Sequence, residues 1–241
     1  MKSELTAKHR QLHQNILKEL GHALEPGARV LDFGCGAGNM VEEYCAAGYE
    51  AFGCDLNVGS ESERLRGIDA ETGRLPFADN TFDFVFSDQV LEHVQDHGAA
   101  FAEMARVMKA SGFGLHIFPA RLKPTEAHVL VPLGGVIQNR WWLTLWAALG
   151  IRNSFQQGKS VREVVALNYE YLRRRTNYLT RAQLVKAGAS HFETLVFAEE
   201  QMIRHSYGNA RRIYPLVRLF PFVAGLYSSF YSRVIFLRKA P

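Results

Sequence analysis

Val30-Leu-Asp-Phe-Gly-Cys-Gly-Ala-Gly-Asn39 is the stretch of this 241-residue chain that decides its fold. An apolar strand end runs into an acidic residue and then into glycines at alternate positions, Gly34, Gly36 and Gly38. Glycine has no Cβ, so it can adopt a positive φ and let a ligand approach the main chain closely. Asn39 stands where a dinucleotide-binding loop would have its third glycine, so the spacing favours a different adenosyl ligand.

Two acidic residues favour S-adenosylmethionine as that ligand. This cofactor has no phosphate for a helix N-terminus to bind, but it carries an ammonium and a sulfonium, which suit Asp32 beside the glycine loop. A second strand, Tyr49–Cys54, leads to Asp55, roughly the twenty-residue offset at which a carboxylate meets ribose hydroxyls in such folds. The order strand, glycine loop, helix, strand, acid therefore predicts an α/β fold with an adenosyl site.

With three later segments, this region resembles the class I S-adenosylmethionine-dependent methyltransferases, in particular their small-molecule branch. The segments are Gly53–Leu56, Leu75–Val85 and Ser87–Val94, and the resemblance covers about the first half of the chain. It implies a three-layer Rossmann-like sandwich with a seven-stranded, mostly parallel sheet, an antiparallel last strand and a helical insertion between strands five and six. It also implies S-adenosylmethionine as the cofactor.

The resemblance assigns cofactor contacts to particular residues. Asp32 would hold the methionine amino group, Asp55 would accept hydrogen bonds from the ribose, and Asp69 belongs to an Asp-Ala pair that meets adenine in many relatives. Here Glu71–Arg74 separate that pair from Leu75. The full set that we expect to bind the cofactor is Asp32, Gly34, Gly36, Gly38, Asp55, Leu56, Asp69, Ser87 and Asp88.

Methyl transfer is an in-line displacement, so the protein mainly aligns a nucleophile, with a base if that nucleophile is a hydroxyl. The candidates beside strands four and five are Asp88, His93, Glu126 and His128, and we select His128 and His93 as the candidate catalytic residues. Three cysteines, none after Cys54, argue against a disulfide framework, a zinc site and cysteine-dependent pyrimidine methylation. We therefore predict no metal site.

We expect one domain over residues 1–241, with an N-terminal helix over 5–22 and a substrate-covering insertion over about 120–178. All three tryptophans, Trp141, Trp142 and Trp146, fall in the insertion at a helical spacing. An ordinary buried helix explains them, and an aromatic wall or a membrane-interface anchor is the alternative.

The charge is unevenly distributed. Residues 1–120 contain 10 basic and 18 acidic side chains, whereas residues 121–241 contain 18 basic and 6 acidic ones. The basic half suits an acidic, phosphorylated or membrane-surface partner, and an inert surface is the alternative. The polar Met1–Arg10 segment shows no signal sequence, so we expect a cytoplasmic protein, with peripheral contact at the inner membrane surface as an option.

The sequence thus predicts an enzyme that methylates a small or lipid-linked acceptor, most simply at oxygen. A first alternative is an RNA methyltransferase that binds phosphates with Arg173–Arg175, Arg211 and Arg212, although nucleic acid is the less favoured partner. A second alternative is a membrane adaptor that binds the cofactor without turnover. The sequence identifies neither the acceptor nor an oligomeric state.

Overall fold

A computed structural model describes residues 2–240, and within them the chain forms one seven-stranded sheet in the order β3-β2-β1-β4-β5-β7-β6. The strands are β1 (Arg29–Phe33), β2 (Glu50–Asp55), β3 (Leu65–Gly67), β4 (Phe82–Asp88), β5 (Met108–Pro119), β6 (Thr194–Phe197) and β7 (Ser232–Arg238). Strand β7 is antiparallel to both of its neighbours, and the pairs among β1 to β5 are parallel. The predicted fold class is confirmed.

Helices surround this sheet. They are α1 (Lys2–Glu19), α2 (Asn39–Ala46), α3 (His97–Val107), α4 (Arg140–Ala148), α5 (Val161–Arg174), α6 (Arg181–Gly188), α7 (Glu199–His205), α8 (Tyr214–Leu219) and α9 (Phe222–Phe230). Helix α1 ends three residues before the predicted limit of 22, because Gly21 adopts a φ of +83° and stops the helical turn.

The sheet separates two apolar layers, and β4 shows how the sequence builds both. Phe82 and Val85 join the layer that includes α3 and α6, whereas Phe84 and Phe86 join the layer that includes α1 and α2. Side chains of a regular strand alternate between the two faces of a sheet, and an irregularity in the pairing with β5 between Phe82 and Phe84 shifts this alternation, so these two side chains join opposite layers. A strand covered on both faces is apolar almost throughout. This double burial fixes the carboxyl end of β4, where the candidate site begins.

Between β5 and β6, helices α4 and α5 pack on each other around a small core of their own. Leu143 and Ala147 of α4 are buried there, together with Val164 and Leu172 of α5. The opposite face of α4 carries Trp141, which is 65% exposed. The expectation of an ordinary buried helix is therefore correct for one face of α4 and wrong for the other, because the helix has a partner on one side only.

Helices α7, α8 and α9 lie between β6 and β7, a region in which we predicted no helix boundaries. Pro215 and Pro221 divide this apolar stretch into short helices. Among residues 2–240, no helix has the length and apolar character needed to cross a bilayer.

Candidate functional site

The glycine loop connects β1 to α2 at the carboxyl edge of the sheet. Its three glycines have φ values of +84°, +50° and +77° at Gly34, Gly36 and Gly38. A Cβ on Gly34 would lie 2.4 Å from Cγ2 of Val90, and one on Gly38 would lie 2.8 Å from Cδ1 of Leu65. A Cβ on Gly36 would meet no atom within 4 Å, so this glycine borders open space.

Three carboxylates gather around the loop, because β1, β2 and β4 are parallel neighbours that end at the same edge. They belong to Asp32, Asp55 and Asp88. Burial, followed by the nearby charges of Asp88 and Asp55, raises the pKa of Asp32 well above its usual value. Oδ2 of Asp55 accepts a hydrogen bond of 2.9 Å from the Gly36 amide. A cation beside these three carboxyl groups would favour their ionised forms, so the cluster suits a cationic ligand.

Helix α1 supplies a residue to this site. The fully buried His13 lies between two side chains, with Nε2 3.3 Å from Oδ1 of Asp88 and Nδ1 3.1 Å from the Tyr44 hydroxyl. Burial opposes ionisation of Asp88, yet the imidazoles of His13 and His9 bring its pKa below the ordinary value. Sequence reasoning missed His13, although a polar residue beside Leu12 on the apolar face of α1 was a visible signal.

The remaining predicted cofactor residues differ in their surroundings. Ser87 is buried, and its hydroxyl lies 2.8 Å from Nδ1 of the equally buried His116. Burial lowers the pKa of His116 to about 3, so that imidazole is neutral. Leu56 is exposed next to Asp55. Asp69 is exposed and accepts two hydrogen bonds of 2.9 Å from the amides of Glu71 and Thr72, which closes a turn.

A second group of polar side chains follows β4 and β5, and we call Glu92, His93, Glu126 and His128 the polar centre. Glu126 organises it: Oε1 accepts hydrogen bonds of 2.9 Å from both Nδ1 of His128 and the Tyr178 hydroxyl. Oε2 accepts from the amides of His128 and Val129. Burial opposes the charge, but these bonds lower the pKa of Glu126 to about 2. The hydrogen bond that His128 donates to Glu126 in turn raises the pKa of His128.

His93 lies against His128, with ring centroids 4.7 Å apart. Nδ1 of His93 donates a 2.6 Å hydrogen bond to the carbonyl oxygen of Arg175. Glu92 is 1% exposed, and neither of its carboxylate oxygens has a hydrogen-bond partner among the described residues. Burial raises the pKa of Glu92 to about 7. The structure thus brings the two candidate catalytic histidines together with two buried carboxylates.

The polar centre adjoins the glycine loop. Val90, whose side chain packs against Gly34, immediately precedes the short 3-10 helix Leu91–His93. In open α/β sheets, ligands bind beyond the carboxyl ends of the strands where the strand order changes direction. The β1/β4 neighbourhood is such a point, and both groups of residues follow strands that end at this edge of the sheet.

An apolar groove of about 350 Å³ has one lining residue that is close in sequence to the polar centre. One of its walls is Pro124, two residues before Glu126, and helix α9 supplies most of the others. The lining residues are Pro124, Ile213, Val223, Leu226, Tyr227, Phe230 and Tyr231.

Part of the chain is similar in sequence to known proteins. Residues 31–115 match the family described as a methyltransferase domain. The chain is 40% identical over 93 residues to a demethylmenaquinone methyltransferase from Renibacterium salmoninarum, covering 36% of this chain and 39% of that protein. It is 30% identical over 107 residues to the sterol 24-C-methyltransferase ERG6B from Gibberella zeae, covering 39% of this chain and 28% of that protein. The chain thus matches well under half the length of each relative.

Among solved structures, the fold is similar to a phosphoethanolamine N-methyltransferase 2 from Haemonchus contortus in complex with S-adenosyl-L-methionine. The TM-score is 0.51 at 17% identity, and the superposition covers 95% of this chain and 52% of that one. At this identity the similarity concerns the fold alone.

Proposed function

We propose that this chain, whose residues 31–115 match a methyltransferase domain, is a class I S-adenosylmethionine-dependent methyltransferase that transfers a methyl group to an oxygen of a small, apolar or lipid-linked acceptor. One observation carries the proposal: a cofactor loop ringed by three carboxylates adjoins a buried polar centre at the same edge of the sheet. The first group fits the methyl donor, and the second fits a hydroxyl-bearing acceptor.

On the donor side, Asp32 and Asp88 would attract the positively charged methionine part of the cofactor, and Asp55 would accept hydrogen bonds from the ribose hydroxyls. Gly36 would let the cofactor lie directly on the main chain, since a side chain there would fill the open space beside the loop. Ser87 would act through its buried bond to His116, which supports the end of β4. Its contribution would be positioning, and direct contact would fall to Asp88.

On the acceptor side, the reaction needs an acceptor oxygen that lies in line with the carbon–sulfur bond of the sulfonium methyl. That oxygen must also lose its proton. The polar centre is the place for that oxygen, because His93, five residues beyond β4, and His128, nine residues beyond β5, lie together. Glu126 fixes the orientation of His128, and the Arg175 carbonyl fixes that of His93. These bonds would hold both imidazoles in one arrangement as the acceptor binds.

The groove beside Pro124 would receive the apolar part of the acceptor. Its walls are mainly aliphatic and aromatic side chains, which suit a hydrocarbon chain or ring. The two relatives named above are named for a demethylmenaquinone and a sterol, both apolar acceptors. Their similarity covers the cofactor half, so the acceptor proposal rests on the groove and the polar centre of this chain.

Helices α8 and α9 would bring the enzyme to such an acceptor in a membrane. We define the α8–α9 surface by Leu216, Leu219, Phe220, Phe222 and Leu226, all of which are exposed. The exposed Arg211, Arg212 and Arg218 flank it. Apolar side chains bordered by arginines suit the surface of a bilayer that contains anionic lipids.

Methyl transfer is tested with cofactor labelled in its methyl group. The full chain is incubated with that cofactor and with lipid, small-metabolite and RNA fractions of a cell extract, and the labelled product is analysed by NMR. We expect label in the lipid or metabolite fraction as an O-methyl group. A C-methyl or N-methyl product would overturn the oxygen assignment, and label confined to RNA would overturn the acceptor class.

Calorimetry with S-adenosylmethionine tests the donor side separately. We expect one site in the wild type and at least tenfold weaker binding for Asp55→Ala, with little change for the exposed Glu63→Ala as a control. Cofactor binding without transfer to any fraction would favour the adaptor alternative. No binding of S-adenosylmethionine or S-adenosylhomocysteine to the intact protein would overturn the proposal.

A further inference from the structure

Three side chains of the polar centre have donor atoms that all lie within 4.8 Å of one another. They are the carboxylate of Glu92 and one ring nitrogen each of His93 and His128. Two of them are sequence neighbours in the Leu91–His93 turn after β4, and the third follows β5. A pair of histidines with one carboxylate is a common ligand set for divalent transition metals.

Both imidazoles are held in the form that binds a metal. A carbonyl oxygen can only accept, so Nδ1 of His93 must donate its proton to Arg175, at 2.6 Å. An ionised carboxylate likewise only accepts, so Nδ1 of His128 donates to Oε1 of Glu126 at 2.9 Å. In each neutral ring the lone pair is therefore on Nε2. Metal-binding histidines characteristically donate their other N–H to a carboxylate or a backbone carbonyl, which are the two acceptors found here.

Glu92 supplies an independent argument. Both of its carboxylate oxygens are buried and lack a hydrogen-bond partner among the described residues. Oε1 of Glu92 lies 3.8 Å from Nε2 of His93, too far for a hydrogen bond but suitable for two ligands of one ion. A buried carboxylate without a partner is costly, and coordination to a cation would remove that cost.

We propose that Glu92, His93 and His128 bind one divalent transition-metal ion of the zinc class. Two imidazole nitrogens disfavour Mg²⁺ and Ca²⁺, which prefer oxygen ligands throughout. Three protein ligands leave at least one coordination position for a small molecule, which is the pattern of catalytic rather than structural zinc sites.

This inference deepens the proposed function and, for the role of the ion, rests on it. The acceptor's hydroxyl oxygen would take the open position, and the ion would lower the pKa of that hydroxyl. Its proton would leave to water, the oxygen would bond to the sulfonium methyl, and the carbon–sulfur bond would break. That electron pair stays on sulfur, so the products are the methyl ether and neutral S-adenosylhomocysteine.

The binding claim is tested on the full chain after treatment with a chelator, without any acceptor. Co²⁺ serves as a spectroscopic probe because its d–d absorption reports the number and type of ligands, and Zn²⁺ is then titrated in competition. We expect one Co²⁺ per chain with nitrogen ligands, displaced by one Zn²⁺. Absence of binding, or a spectrum typical of six oxygen ligands, would overturn the proposal.

Variants identify the ligands. We expect Glu92→Gln and His128→Gln each to weaken Zn²⁺ binding at least 100-fold, and Glu126→Gln, which acts through His128, to weaken it 10- to 100-fold. His191→Gln changes a half-buried histidine outside the polar centre and should leave binding unchanged. Equal binding by Glu92→Gln and wild type would contradict the assignment.

Folding is checked by thermal unfolding of the metal-free proteins. Glu92→Gln removes a buried charge without changing the size of the side chain, so its melting temperature should equal or exceed that of wild type. Zn²⁺ should raise the melting temperature of wild type but not that of Glu92→Gln. Calorimetry with S-adenosylmethionine on the same samples separates the two proposals. Zn²⁺ binding without cofactor binding would overturn the methyltransferase proposal and leave the metal site standing. Cofactor binding without Zn²⁺ binding would overturn the metal site and leave the methyltransferase proposal standing.

Discussion

Gly34 and Gly36 share a left-handed backbone but differ in their surroundings. Alanine at either position would be strained by the positive φ, at a cost of about 1–2 kcal/mol. At Gly34 the new methyl would also meet Val90, whereas at Gly36 it would enter open space. We therefore expect Gly34→Ala to unfold at a clearly lower urea concentration than Gly36→Ala.

The Gly34→Ala and Gly36→Ala variants also distinguish an effect on stability from an effect on cofactor binding. In calorimetry with S-adenosylmethionine, Gly36→Ala should lose affinity out of proportion to its small loss of stability, because its methyl occupies the proposed approach of the cofactor. Gly48→Ala, which also has a positive φ and open surroundings but lies after α2, is the matched control and should retain affinity. Equal affinities of Gly36→Ala and Gly48→Ala would contradict our placement of the cofactor.

His13 gives a second prediction at the scale of single residues. His13→Leu keeps a side chain of similar size but leaves Oδ1 of Asp88 without its partner. We expect about tenfold weaker binding of S-adenosylmethionine and a loss of about 1–3 kcal/mol in unfolding free energy. Urea unfolding and calorimetry measure the two effects. Leu12→Val, a neighbouring core change, should reduce stability without a comparable loss of affinity.

Spacing along the chain was sufficient to predict Asp32, the glycines and Asp55 as neighbours, because a strand, a tight loop and a helix fix their geometry locally. It could not predict that His13 meets Asp88, since the two are 75 residues apart in sequence. For the same reason it could not bring Glu92 and His93 together with His128. The position of His128 depends on how the chain returns after β5.

At the scale of elements, an ion pair within α3 holds the main chain of the Leu75-Pro-Phe motif by hydrogen bonds. Glu103 accepts from the Leu75 amide at 2.8 Å and pairs with Arg106, which donates to the carbonyl oxygens of Leu75 and Phe77. These bonds explain why a loop with little regular structure lies in a fixed position beside the sheet.

We expect Glu103→Gln to lower the unfolding free energy by about 1–2 kcal/mol at pH 7. The hydrogen bond from Arg106 lowers the pKa of Glu103 below its usual value of 4.5, against the effect of burial. A depressed pKa stabilises the fold above the unfolded-state value, and this contribution is lost as the pH falls through the folded-state value. The difference between the two proteins should therefore shrink below about pH 4. Urea unfolding from pH 7 to pH 3 measures it, and a difference that does not change with pH would contradict the ion pair as its source.

Among the elements, those with a regular period were predictable and those without one were not. The capping box of α6, in which Thr180 and Gln183 exchange hydrogen bonds, was visible in the sequence and is present. Helices α7 to α9 were not foreseen, because all three are short, prolines interrupt the stretch that contains α8 and α9, and contacts with residues distant in sequence hold these helices. An example is Arg181 of α6, which donates to Glu199 of α7 and to Ser228 of α9.

At the scale of the whole molecule, the basic half of the chain carries the exposed α8–α9 surface. We expect the full chain to float with vesicles that contain anionic phosphatidylglycerol and to float less at 0.5 M salt, because salt screens the arginines. The double change Leu219→Ser and Phe222→Ser should abolish flotation.

Phe155→Ser is the matched control, because Phe155 is 86% exposed but lies in the insertion rather than on the α8–α9 surface. It should float like wild type. Flotation that survives the double change, or that is lost equally in Phe155→Ser, would contradict membrane contact through α8 and α9.

The position of β7 bears on how the chain folds as it is synthesised. β7 is made after the other six strands, yet it lies inside the sheet between β5 and β6 and is antiparallel to both. β1 to β5 can therefore pair while the chain is still growing, since domains generally begin to fold from the N-terminal side. β6 has no other neighbour in the sheet, so it must wait until β7 has left the ribosome. The final step of sheet formation then adds both strands together across a connection of more than thirty residues, a long-range pairing that slows folding.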